Sequence, residues 1–287
     1  MGIMVLVTIV MWVGHVWGGA LPPEFPNVGH FFVTDVDTAI GRVFYPRPTT
    51  PTNTYRVGFA HQNREWGYNW MATAMVVPTS LGQVGVGYSW YGTASLPRVA
   101  QDALGPYQNG QVSDAFHTMV LAFQPQLKSV NLAIQGTAYY REFVDKHATT
   151  FQLSAAVSSP YVWNNQVGIR LVNALGHTYQ WSSGEEAVFP QYAGIYWTPS
   201  WQSITGALDY SIATNYTNVS VLSACGTYKI GRIGGVTLGY KQVAQSPMWL
   251  MGISIHPTAY IRANLTHIIT SKIQDSSGYS FGLELML

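Results

Sequence analysis

Gly278-Tyr279-Ser280-Phe281-Gly282-Leu283-Glu284-Leu285-Met286-Leu287 ends the sequence, and its reading decides the fold. Tyr279, Phe281, Leu283, Leu285 and Leu287 alternate with Ser280, Gly282 and Glu284, so a strand here has one large apolar face and one of small or polar residues. The same period of two runs through Val84, Val86, Tyr88 and Trp90, interleaved with Gly85, Gly87 and Ser89. A half-buried sheet in water would show Lys and Glu on its second face. A small, polar second face suits instead a narrow lumen behind a wall that faces lipid.

Composition points the same way. Asp, Glu, Lys and Arg make up 9% of the 287 residues, while hydrophobic residues reach 47% and aromatic residues 14%. A soluble domain carries about 25% charged residues, so this chain cannot cover a water-facing surface in the usual way. Its net charge of +1 provides no basic field, and nucleic acid is not an expected partner. The single cysteine, Cys225, excludes a disulfide scaffold and a cysteine-rich zinc site and reads as a small packing residue. Beyond Leu21 no apolar run approaches the roughly 18 residues of a transmembrane helix.

Alternating segments can be counted back from the end: 278–287, 259–269, 248–256, 234–243, 219–228, 203–213, 189–198, 166–175, 149–158, 130–141, 115–123, 83–91, 68–77 and 54–61. The even total of about fourteen predicts an all-β fold, a closed transmembrane antiparallel β-barrel. Alternate connections are short, and Pro78, Pro125, Pro160, Pro199 and Pro257 stand at strand ends, where the missing N–H stops a ladder. The other set holds the long connections 92–114, 176–188 and 270–277, which places them outside the cell. A turn or two of helix is expected only within Ser95–Leu104.

Three regions follow. Residues 1–20 read as a signal peptide, with apolar Ile3–Trp17 followed by Gly18-Gly19-Ala20. Residues 21–52 hold Pro22, Pro23, Pro26, Pro46, Pro48 and Pro51 and are expected to be irregular. Phe25, Phe31, Phe32 and Phe44 make that stretch too hydrophobic for a linker, so it is expected to act as a plug-like segment at the periplasmic mouth. Residues 53–287 form the barrel.

Chemistry-bearing patterns are sparse. The eight histidines include no His-x-x-x-His pair, and no Gly-x-Ser-x-Gly elbow occurs. Asp102, Asp114, Glu185 and Glu186 fall in expected outer loops. No catalytic, cofactor-binding or metal-ligating residue is expected, and no enzyme activity. Trp66, Trp70, Trp90, Trp163, Trp197, Trp201 and Trp249 lie near strand ends and are expected in the interfacial girdles against outer-membrane lipid; Trp181 lies in a long outer loop. Arg56, Arg141, Arg170, Asp209, Lys241, Arg262 and Glu284 share the inward phase, since a cation facing lipid at mid-membrane is destabilising by about 2–4 kcal/mol. They are expected to form a lumenal charge network. Placing Thr266 opposite Ser280 sets Arg262 opposite Glu284 across the last hairpin.

Val57-Gly58-Phe59-Ala60-His61, Gly85-Val86-Gly87-Tyr88 with Tyr91-Gly92, Asp114 before a strand, Gln166-Val167-Gly168-Ile169, Asn173-Ala174-Leu175-Gly176 and Gly278-Tyr279-Ser280-Phe281-Gly282-Leu283 follow one another in an order that resembles the PorV/PorQ-type outer-membrane proteins. Those proteins are relatives of the FadL long-chain fatty acid transporters. Two places depart from the pattern: the Asn-Pro-Ala-Gly-Leu phrase before the first strand reads Phe44-Tyr45-Pro46-Arg47-Pro48, and the terminal aromatic is Leu287. The resemblance implies a 14-stranded barrel with an N-terminal plugging segment in the bacterial outer membrane. It implies a non-enzymatic role in type IX-like protein secretion, with secretion components or exported cargo as partners. FadL-like passive transport of a small hydrophobic ligand is the alternative, and a closed structural barrel the third reading.

Overall fold

The computed structural model describes residues 38–45, 47–49, 53–64, 69–102, 105–143, 146–160, 165–175, 178–184, 186–215, 219–243, 246–270 and 278–287. The expected signal peptide, and Phe25, Phe31, Phe32, Trp66 and Trp163, lie outside them. Helix α1 (Ala39–Phe44) precedes β1 (Arg56–Arg64), β2 (Asn69–Thr79), β3 (Gly82–Asp102), β4 (Gly105–Pro125), β5 (Asn131–Phe143), β6 (Lys146–Ser158), β7 (Asn165–Val172), β8 (Thr178–Trp181) and β9 (Glu186–Val188). After these come β10 (Tyr192–Trp201), β11 (Ile204–Ala213), β12 (Ser220–Ile230), β13 (Gly234–Val243), β14 (Ser246–Thr258), β15 (Ile261–Thr270) and β16 (Gly278–Met286).

Fourteen of these strands close a barrel. Each is antiparallel to both neighbours, β1 pairs β16, and the β5–β6 pairing completes the circuit. Closure leaves no wall strand with a free edge, which an apolar sheet in lipid requires. Among the described residues no helix is long and apolar enough to cross a membrane; the crossing elements are strands. The alternation of the sequence becomes alternation of burial, as in β7, where Gln166, Gly168 and Arg170 are buried and Val167, Ile169 and Leu171 exposed.

Three expectations are corrected. Ser95–Leu104 is not helical: most of it continues β3, which pairs with β4 as far as Asp102↔Gly105, and shifts of register at Thr93/Leu96 and Pro97/Val99 accommodate Pro97. The expected loop 92–114 is therefore mostly a two-stranded ribbon. Residues 21–52 are not wholly irregular, because Thr38 caps α1 by accepting a 3.1 Å bond from the Gly41 N–H. The connection between β7 and β10 also carries strands of its own. β6 and β7 share the pairs Ala155↔Leu171 to Ser158↔Gly168, and further out β6 pairs with β8 through Ala148↔Trp181 and Thr149↔Gln180.

Candidate functional site

The inward phase of β1 to β3 is unusually small: Gly58, Ala60, Ala72, Ala74, Gly85 and Gly87. Helix α1 fills the space this leaves. A Cβ on Gly87 would stand 2.7 Å from Phe44 and Val43, one on Gly85 2.7 Å from Val43, and one on Gly58 3.1 Å from Ala39. Ala39, Ile40, Val43 and Phe44 form one buried cluster with Ala60, Trp70, Ala72, Ala74, Val76 and Val120. The inner side of this wall is thus apolar where a water channel would be polar.

Polar contacts tie the same segment to six strands. The Ala39 N–H donates to Glu284 of β16 (2.9 Å), Arg42 to Gln83 of β3 (3.1 Å), and Gln135 of β5 to the Val43 carbonyl (2.8 Å). Thr49 donates to Gln124 of β4 (3.1 Å), Tyr45 to Asp209 of β11 (2.5 Å), and Arg47 to Thr198 of β10 (2.9 Å). Residues 38–49 therefore reach from β16 to β11, which β12 to β15 separate.

The inward charges gather in two places. Glu284 takes Arg56 at 3.4 Å and Arg262 at 3.9 Å, and Arg262 stands directly opposite it in register, with Thr266 opposite Ser280. Arg170 meets Asp209 at 2.6 Å, both fully buried, and Ser211 joins them. The Arg170 guanidinium lies 4.4 Å from the centre of the Tyr45 ring, and that of Arg47 lies 4.5 Å from the Tyr196 ring. Tyr45 is on the N-terminal segment rather than a spanning strand. Burial pushes its hydroxyl well above the ordinary range, so it stays protonated and donates to Asp209. Arg141 and Lys241 also lie on the inward phase: Arg141 sits 5.3 Å from the Trp181 ring, and Lys241 is buried on β13 in the row of Asp209 and Ser223.

Outward, β8 and the residues after β9 fold over the mouth of the lumen. Trp181 and Phe189 are buried with Phe116 and Ala148, and the Phe189 ring stacks on Tyr139 at 5.0 Å. Between α1 and the wall that includes Gln62, Trp70, Leu250 and Ile268 there remains a cavity of about 30 Å³, enough for about one or two waters. Among the described residues no group of His, Cys, Asp and Glu could hold a metal.

Of the expected girdle residues, Trp90, Trp197, Trp201 and Trp249 lie on the outward phase, with Trp201 67% exposed. Trp70 does not: it is 5% exposed on the inward phase of Ala72, Ala74 and Val76, packed with the α1 cluster. The sequence reading missed it because both phases of β2 are apolar, one for lipid and one for α1. It also missed Arg42, Tyr45, Arg47, Gln83, Gln124 and Gln135. The small inward phase of β1 to β3 and the row of inward glutamines were the available signals.

No family model matches the chain, and no curated protein matches it. Solved structures do. The chain resembles the toluene transporter TodX. With that Pseudomonas putida protein it shares 10% identity and a TM-score of 0.59, over 94% of this chain and 95% of TodX. A deltaS2S3 variant of TodX, described as a monoaromatic hydrocarbon channel, gives 0.56 at 10% identity over 88% and 92%. The Ralstonia pickettii toluene transporter TbuX gives 0.51 at 8% identity over 81% and 88%. At such identities the likeness to TodX is one of fold. Nothing among these findings supports a PorV/PorQ assignment. Spaced glycines and aromatics satisfy any small barrel wall that must be thin inside and apolar outside, so they do not single out one family.

Proposed function

We propose that the chain is a non-enzymatic outer-membrane channel for the passive entry of small hydrophobic molecules, with residues 38–49 as part of a plug. One observation carries this reading: the segment bonds to six strands around the barrel and packs Ile40, Val43 and Phe44 against Trp70 and the small inward residues of β1 and β2. A general porin needs an open polar lumen; an apolar ligand needs apolar lining and a segment that can give way. The TodX-like and TbuX-like fold supports the same side. The secretion reading has no comparable support. Planar-bilayer recording together with uptake of radiolabelled toluene tests the proposal: low ionic conductance with raised toluene entry supports it, and large steady channels or unchanged entry reject it.

A further inference from the structure

On its lipid side the wall from β2 to β6 carries an apolar dent of about 520 Å³, within the size range of small-molecule sites. Register explains it. Thr73, Tyr88, Met119, Ala138 and Phe151 form one outward row across these strands, and Met75, Val86, Leu121, Gly136 and Leu153 form the next. The rows are large except at Thr73, Ala138 and Gly136, which make the floor. A Cβ on Gly136 would stand 3.1 Å from the Phe151 ring, so that ring leans over the glycine and narrows the dent to a slot. Met119 and Leu121, 64% and 60% exposed, stand as its rim.

The next row outward changes character. It holds Trp90, His117 and Tyr140. Tyr88, part of the dent, shares a 2.7 Å hydrogen bond with His117 Nδ1. The His117 and Tyr140 rings are 5.7 Å apart, and Tyr140 and His147 6.4 Å; Glu142 faces His147 across the ladder, and Lys146 precedes it. An apolar slot therefore opens, within one pleat of about 7 Å, onto a row of hydrogen-bonding rings. That is the shape of an amphiphile's site. A second copy of the chain would need a ridge to match the slot and would leave the polar row unused.

We infer that this face binds a membrane lipid in an ordered way, with one acyl chain in the slot over Gly136 and Ala138 and its polar head against His117, Tyr140 and His147. The site is on the opposite side of the wall from α1 and does not depend on what passes through the lumen. The test uses phosphatidylcholine vesicles doped with a phosphatidylethanolamine whose acyl chain carries a photoactivatable diazirine, with adducts mapped by mass spectrometry. Adducts on outward residues of β2 to β6 should exceed those on β11 to β15 by about fivefold, the preference that roughly 1 kcal/mol confers. The Gly136→Leu/Ala138→Leu variant should bring the two faces level. Even labelling around the wild-type barrel overturns the inference, as does unchanged labelling in a folded variant, or a chain-to-chain disulfide formed on oxidation of a Met119→Cys/Cys225→Ala variant in the same vesicles. If the variant does not fold, the wild-type map decides alone.

Discussion

Replacing Gly87 by Val tests how residues 38–49 are held. The first added carbon would stand 2.7 Å from both Phe44 and Val43, well inside van der Waals contact, and the two further methyls have no free space on that side. Overpacking of this kind destabilises by about 1–3 kcal/mol. Undocking α1 instead would expose Val43 and Phe44, at about 1.5–3 kcal/mol each, and break its bonds to Glu284, Gln83 and Gln135. Strain is the lesser penalty, so the segment stays in place but its undocked fraction rises about 5- to 150-fold. The assay is the rate at which a water-soluble maleimide labels Cys at position 39 in an Ala39→Cys/Cys225→Ala background, since Ala39 is fully buried. Gly87→Val should raise that rate within this range while the barrel still shows its heat-modifiable folded mobility on gels. A rate changed by less than about twofold, with the barrel folded, would refute the cradle.

Asp209→Asn removes the anion from a fully buried pair and should destabilise the barrel by about 3–5 kcal/mol in denaturant titrations; adding Arg170→Met, which removes the stranded cation, should recover much of the loss. Glu284→Gln leaves Arg56 and Arg262 facing each other without their shared carboxylate and should slow refolding into vesicles; a refolding rate equal to wild type would show that the contact does not guide closure. Trp70→Ala should cost about 3–5 kcal/mol as a buried truncation, and Trp201→Ala less than about 1 kcal/mol as an exposed one; the reverse order in urea unfolding would place the two rings on the wrong sides of the wall.

The barrel was legible because one wall has two solvents. Where lipid lies on one side and polar atoms on the other, as at Tyr279 to Leu287, alternation fixes phase, and phase with pairing fixes register; Arg262 opposite Glu284 follows from that alone. Where the inner side is also apolar, alternation loses its meaning. Trp70 was misplaced on β2 for this reason, and α1 escaped notice because its partners are absences of side chain at Gly58, Gly85 and Gly87. Proline misled in the opposite direction. Pro97 lies inside a long strand, opposite Gln111 and between two shifts of register. The inward charges could be assigned to the lumen from cost, but not grouped, since Tyr45 joins the Arg170 pair from a segment with no period to read.

The most direct test of the account is the initial rate of radiolabelled toluene entry into Gram-negative cells whose outer membrane carries this chain, with vector-only cells as reference and a hydrophilic sugar of similar size as the second solute. Passive entry past a segment packed on an apolar part of the inner wall predicts faster toluene entry, linear in outside concentration, with sugar entry unchanged. Toluene entry equal to the vector control, or a parallel rise for the sugar, would contradict it.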